Sequence, residues 1–261
     1  MYFNAMLVFD FDGVLINSLD EVVLTSYNAA TGSFLTSLDD LPEERVQLFK
    51  RNRFHVQQIG DAIPLMNWCL KTHQNPSQKI LTQKEYQSII TGANFELNDR
   101  TKVIYQTRQR FVDKDQKDWI RLHTPYQPIW NELIRREELP FVILTNKNRD
   151  ATSLLCRHFG LHVGETEIYT GDNGVTKVEN MREILKRFGS ELYCVIDDSV
   201  KNLQELDGQL NKEKKIISLL FASWGYTGPE DINRARKCAY PVLRQTDIFP
   251  YFFRLLCPQP F

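Results

Sequence analysis

Asp10 and Asp12 stand one residue apart at the end of an apolar run, Ala5 to Phe9, and Gly13 follows them. A buried strand that delivers two carboxylates is costly unless something neutralises them. Hard divalent ions such as Mg2+ are held by one or two carboxylates together with water and phosphate oxygens, so this pair is a candidate reaction centre. Side chains alternate along an extended backbone, which points Asp10 and Asp12 one way and Phe11 the other. Gly13 frees the chain to turn sharply just past the strand, where ligands sit in open parallel sheets. A lone Asp-x-Asp also fits a strand that simply exits into a polar turn, so the remaining sequence has to decide.

Three further segments bear on that decision. After the apolar run Phe141 to Leu144 come Thr145, Asn146 and Lys147. A hydroxyl and unpaired backbone N–H groups between a strand and a helix can hold a phosphate oxygen. Lys177 opens a helical pattern after Gly174-Val175-Thr176, where its charge runs against the helix dipole. Tyr193 to Ser199 then repeats the opening design, an apolar strand ending in Asp197 and Asp198. Two strand ends that both offer carboxylates are hard to reconcile with a stable fold unless a cation lies between them.

The elements that must position these groups are short apolar runs separated by helical patterns. Strands are expected at Phe141 to Leu144, Ile168 to Thr170, Tyr193 to Ile196 and Ile216 to Phe221, in addition to the first. Helices are expected from Thr124-Pro125 to about Glu138, from Asn148 or Asp150 to Gly160, from Val178 to Gly189, and from Ser199 onward. Strand alternating with helix predicts an α/β fold with a Rossmann-like parallel sheet covered on both faces. Between the first and second strands the rhythm breaks into amphipathic patterns at Asp20 to Ala30, Leu41 to Phe49, Ile63 to Thr72, Thr82 to Ile90 and Arg100 to Phe111. So long a segment needs its own core, so an inserted all-helical domain is expected over 19–122, with the core domain formed by 1–18 and 123–261.

Bulk properties narrow the partners. Lys plus Arg number 32 against 33 Asp plus Glu, a net charge of −1 that offers no basic footprint for nucleic acid or for a membrane surface. Five cysteines, at 69, 156, 194, 238 and 257, lack zinc-type spacing and suit reduced thiols. The apolar start has no positive flank and is interrupted early by Asp10, so a first core strand is expected in place of a signal peptide, and a cytoplasmic location follows. Oligomeric state leaves no mark in the sequence.

DFDGVL at 10–15, LTNK at 144–147, Lys177, IDDS at 196–199 and ASWGYTGPED at 222–231 occur in an order that resembles the haloacid dehalogenase superfamily, in particular its phosphoglycolate phosphatase-like members with a helical cap. The resemblance implies a Mg2+-dependent phosphohydrolase of a small phosphorylated metabolite. It implies Asp10 as nucleophile, Asp12 as general acid and base, and magnesium held by Asp10, Asp197, Asp198 and the main-chain carbonyl of Asp12. It implies phosphate contacts at Phe11, Gly13, Thr145, Asn146 and Lys177, with Thr145 and Lys177 serving catalysis. The cleft between core and cap is the implied active site. Asn17 stands where many relatives have Asp, Val178 where many have Pro, and the insertion is longer than the usual cap.

Alternatives within the fold are a phosphomutase, which shares every core motif, and a phosphonate-cleaving enzyme, which needs an insertion lysine such as Lys50, Lys71 or Lys79 as Schiff base. Outside catalysis stands a binding module that keeps the fold. Arg45, Arg51, Arg53 and His55 cluster near one predicted helix and could reach a substrate anion, although a solvated helical face is the favoured reading. Trp68, Trp119 and Trp130 suit packing, and His73 and His123 need no function.

Overall fold

Apolar runs of five or six residues, too short for helices and flanked by turn residues, form the central strands. A computed structural model describes residues 5–72, 79–93, 95–212 and 215–256; His73 and Cys257 lie outside them. The strands are β1 (Ala5–Phe9), β2 (Ile16–Asn17), β3 (Thr124–Pro125), β4 (Phe141–Thr145), β5 (Ile168–Thr170), β6 (Leu192–Asp197), β7 (Ile217–Ala222) and β8 (Val242–Leu243). Six of them make one parallel sheet in the order β5-β4-β1-β6-β7-β8. This is an α/β fold with a Rossmann-like core.

The chain divides into two compact units, Met1–Asn17 with Pro125–Phe261, and Ser18–Thr124. In the first unit β1 lies at the centre, and all five of its residues are buried, as a strand covered on both faces requires. Met6 and Val8 share one core with Val142, Leu144, Val195 and Leu219 of the neighbouring strands. Helices α9 (Lys177–Phe188) and α10 (Val200–Leu210) cover that core through Val178, Met181, Ile184, Leu203 and Leu206. The sheet register pairs Phe9 with both Ile143 of β4 and Ile196 of β6. Parallel strands in register end at the same edge, so residues following β1, β4 and β6 emerge side by side, where ligands bind in open sheets.

The second unit is built on helices α1 (Leu19–Thr31), α2 (Glu43–Asn52), α3 (Ala62–Lys71), α4 (Gln83–Thr91), α5 (Leu97–Lys114) and α6 (Gln116–Arg121), with short 3-10 turns between. Val23, Leu24, Leu48, Phe49, Leu65, Met66, Ile104, Phe111 and Trp119 are buried in it. So is a bidentate ion pair: Arg108 donates through Nε to Glu21 Oε1 at 2.8 Å and through its second terminal nitrogen to Oε2 at 2.9 Å. Of the arginine–histidine cluster, Arg51 is exposed and the other three bond within this unit. Arg45 donates to the Cys69 and Thr72 carbonyls, Arg53 donates to the Val56 carbonyl, and buried His55 bonds the Leu81 carbonyl and stacks on Tyr86.

Two expectations need correction. Thr124 and Pro125 do not open a helix; they are extended, and α7 runs only over Gln127–Arg135. The Tyr126 N–H donates to the Leu15 carbonyl at 3.0 Å, which ties this stretch to the chain beyond β1 and delays the helix until Pro128 can occupy its first turn. The edge strand β8 and helices α6, α11 (Asp231–Lys237) and α12 (Ile248–Leu256) have no counterpart in the expected elements, because runs this short carry too little periodicity.

Breaking the buried pair tests the second unit. Arg108→Met strands an ionised Glu21 and is expected to cost about 3 kcal/mol, read as a lower denaturant midpoint, while adding Glu21→Leu restores part of the loss.

Candidate active site

Asp10 is the first residue past β1, and its N–H still donates to the Ile196 carbonyl at 2.9 Å, so its position is set by the β1–β6 ladder. The chain then turns: Gly13, at φ +90°, donates to the Ile16 carbonyl at 2.8 Å, and Leu15 donates to the Phe11 carbonyl at 2.9 Å. Asp197 ends β6, and Ser199 caps α10 through its hydroxyl. The N-terminus of α10 orients Asp197: Ser199 N donates to Oδ1 at 2.8 Å and Asn202 Nδ2 reaches both carboxylate oxygens at 3.2 and 3.1 Å.

Asp10, Asp197 and Asp198 each turn a carboxylate oxygen inward, and the three oxygens lie within 4.8 Å of one another. All three residues are buried. Lys177, the first residue of α9, inserts its ammonium beside them, 2.9 Å from Asp10 Oδ1 and 2.7 Å from Asp197 Oδ2. A capping box between Thr176 and Glu179 fixes the start of that helix and with it the root of the lysine. Burial opposes the charge on Lys177, but the Asp10 and Asp197 carboxylates outweigh it and hold the ammonium above its ordinary range. For Asp10, burial is the largest influence and Asp197 adds to it; together they exceed the pull of Lys177 and push the carboxyl up to about 7. The Lys177 ammonium by itself does not balance three carboxylates, and this hard, all-oxygen, anionic set fits a small divalent cation.

Two glycines make room for Asp198. A Cβ at Gly13 would lie 2.2 Å from Asp198 Oδ2, and one at Gly225 would lie 2.3 Å from the same oxygen. The next residue, Tyr226, donates its N–H to Asp198 Oδ2 at 2.5 Å. The loop after β7 is itself held against the β1 turn, because Trp224 Nε1 donates to the Val14 carbonyl at 3.1 Å.

A family model for haloacid dehalogenase-like hydrolases matches residues 5–206, which include Asp10, Lys177, Asp197 and Asp198. The chain belongs to that family. Comparison of the sequence with curated proteins gives no match. Among solved structures, the chain is similar to a predicted phosphatase from Clostridium acetobutylicum, at 15% identity and TM-score 0.58, covering 97% of this chain and 100% of that one. It is similar to a predicted phosphoglycolate phosphatase from Haemophilus somnus, at 15% identity and TM-score 0.57 over 96% and 98% of the two chains. A hydrolase of the same family from Deinococcus radiodurans, solved with bound phosphate and sodium, matches at 17% identity and TM-score 0.51 over 97% and 96%. At these identities the likeness is one of fold.

Within this haloacid dehalogenase-like core, the residues singled out from sequence fall into three groups. Asp10, Asp197, Asp198 and Lys177 meet directly. The Asp12 carboxylate lies against Lys147 Nζ at 3.1 and 3.4 Å. Thr145 is buried at the end of β4, its hydroxyl accepting the Lys147 N–H at 3.1 Å, and Asn146 is exposed beside it. The Phe11 side chain is fully buried against Trp130, so only its backbone faces the turn. Sequence reasoning missed Lys147, Asn202, Gly225 and Tyr226 as parts of the constellation; for the last two, the resemblance at 222–231 was the available signal. Asn17 accepts a long bond of 3.4 Å from the Tyr226 hydroxyl.

Two predictions follow from this geometry. A proton on Asp10 competes with any bound cation. With its carboxyl raised from 3.8 to about 7, Asp10 contributes stability to the metal-free fold that is full below the unfolded value and is lost as pH rises through about 7. Added Mg2+ should therefore raise the melting temperature clearly near pH 8 and little near pH 5.5, whereas equal shifts at both would mean that no proton on Asp10 competes with the cation in this range. Gly225→Ala drives a methyl into Asp198 and should weaken Mg2+ binding by about tenfold or more in calorimetric titration; unchanged affinity would mean the loop yields without moving the carboxylate.

Proposed function

We propose that this chain is a divalent-cation-dependent phosphatase that cleaves a small phosphorylated metabolite, phosphoglycolate phosphatase-like, through an aspartyl-phosphate on Asp10. The observation that carries the proposal is the meeting of the Asp10, Asp197 and Asp198 carboxylates with Lys177 in one buried site. Such a site has a large anionic surplus to share with a cation and a phosphate, and no use for it otherwise.

In this reading Asp10, Asp197, Asp198 and the Asp12 carbonyl hold Mg2+. When bound, the ion supplies the positive charge that lets a carboxylate approach a phosphate dianion. Lys177 shares that task and keeps Asp10 in place. Asp10 attacks phosphorus, and Asp12 gives its proton to the ester oxygen as the P–O bond breaks, releasing the alcohol. The ionised Asp12 then takes a proton from the water that attacks phosphorus on the aspartyl-phosphate, which releases phosphate and restores both aspartates. The Thr145 hydroxyl and the N–H groups of Phe11, Gly13 and Asn146 grip the oxygens of the transferred group. Every atom is accounted for: ester plus water gives alcohol plus phosphate.

The phosphonate-cleaving alternative needs a buried insertion lysine, and the candidates do not supply one. Lys50 pairs with Asp20, Lys79 pairs with Glu85, and Lys71 is exposed. No helix among the described residues is long and apolar enough to cross a membrane.

The test is phosphate release from p-nitrophenyl phosphate and from a panel of phosphorylated metabolites. Turnover should require Mg2+ and fall at least about 10³-fold in Asp10→Asn, because the covalent step is lost. Turnover that survives in the variant would remove Asp10 as nucleophile.

A further inference from the structure

A second buried lysine lies against Asp12. Lys177 pairs with Asp10 and Asp197, and Lys147 Nζ lies 3.1 Å from one Asp12 oxygen and 3.4 Å from the other. The Lys147 side chain is 1% exposed, against 24% for Asp12. A lysine buried this deeply is not one of the solvated surface set; its ammonium costs folding energy that only a paired anion offsets. Its root is fixed as well, since its N–H donates to Thr145 Oγ1 directly after β4.

Asp12 needs such a partner more than Asp10 does. Asp10 is placed by the β1–β6 ladder, whereas Asp12 lies in the turn that Gly13 and Leu15 close. A second anion in that turn is drawn toward the same positive charge that holds Asp10, and an aspartate captured there could not reach the leaving oxygen or the attacking water. A cation that touches both of its oxygens prevents that.

We propose that Lys147 is the positioning residue for Asp12, fixing the direction of its carboxylate and aiming it at the ester oxygen. The proposal rests on the phosphatase reading above. It assigns Lys147 an effect on kcat through Asp12, distinct from a direct grip on substrate phosphate, which would act on KM.

The experiment is steady-state kinetics of the full chain with saturating Mg2+ on its best phosphate ester, for Lys147→Met, Asp12→Asn and the double variant. Lys147→Met should lower kcat about 10- to 100-fold, part of the contribution of a general acid–base group, with KM within about twofold. The double variant should be no slower than Asp12→Asn, since the two act as one unit. Losses that multiply, or a raised KM with kcat intact, would overturn the role. If Lys147→Met melts too low to assay, Lys147→Gln keeps an amide donor near Asp12 and is measured in its place with the same criteria. Asp10→Asn is the separate check: a wild type that releases no phosphate overturns the phosphatase reading and this role together, while a dead Asp10→Asn beside multiplicative losses overturns the role of Lys147 alone.

Discussion

Like charges brought together out of water are the constraint on which the core of this protein depends. Asp10, Asp197 and Asp198 are buried, with carboxylate oxygens within 4.8 Å of one another, and the Lys177 ammonium stands against Asp10 and Asp197. Replacing such a cluster with apolar side chains would make a more stable protein. Its retention at the carboxyl edge of a well-packed sheet is what a reaction centre looks like energetically: stability is given up locally where charge has to be ready for a ligand of opposite and then like sign.

The remainder of the first unit can be understood as the means of holding that cluster in place. Central burial of β1 and its pairing with β6 bring residues nearly two hundred positions apart to one edge. Helix starts finish the placement, with the Thr176–Glu179 capping box anchoring Lys177 and the Ser199 and Asn202 groups orienting Asp197. The glycines at 13 and 225 contribute by absence, because any side chain at either would occupy the space of Asp198. The sheet supplies rigidity, the loops supply the functional groups, and neither alone would fix the distances.

The strands that matter most were legible because buried parallel strands read as uninterrupted apolar runs, and because an acid at the end of such a run is conspicuous. Ile168 to Thr170 could be read as a strand despite its length since it recurs at the right interval between helices. Thr124-Pro125 misled because its helix-start chemistry is genuine but is overridden by the bond from Tyr126 to Leu15, a partner over a hundred residues away. The same limit hid Lys147 and Gly225. Nothing in the local pattern of LTNK says that the lysine folds back beneath Asp12, and a glycine in a loop gives no sign of the carboxylate that needs its empty side. Pairings of this kind belong to the three-dimensional register, which the one-dimensional pattern specifies only through the sheet order.

The central claim is that three carboxylates from two strand ends share one cation, and anomalous scattering tests it most directly. In a crystal grown with Mn2+, the account predicts a single strong anomalous peak coordinated by Asp10, Asp197 and Asp198. A peak elsewhere, or none while Lys177 remains closed on Asp10 and Asp197, would contradict it.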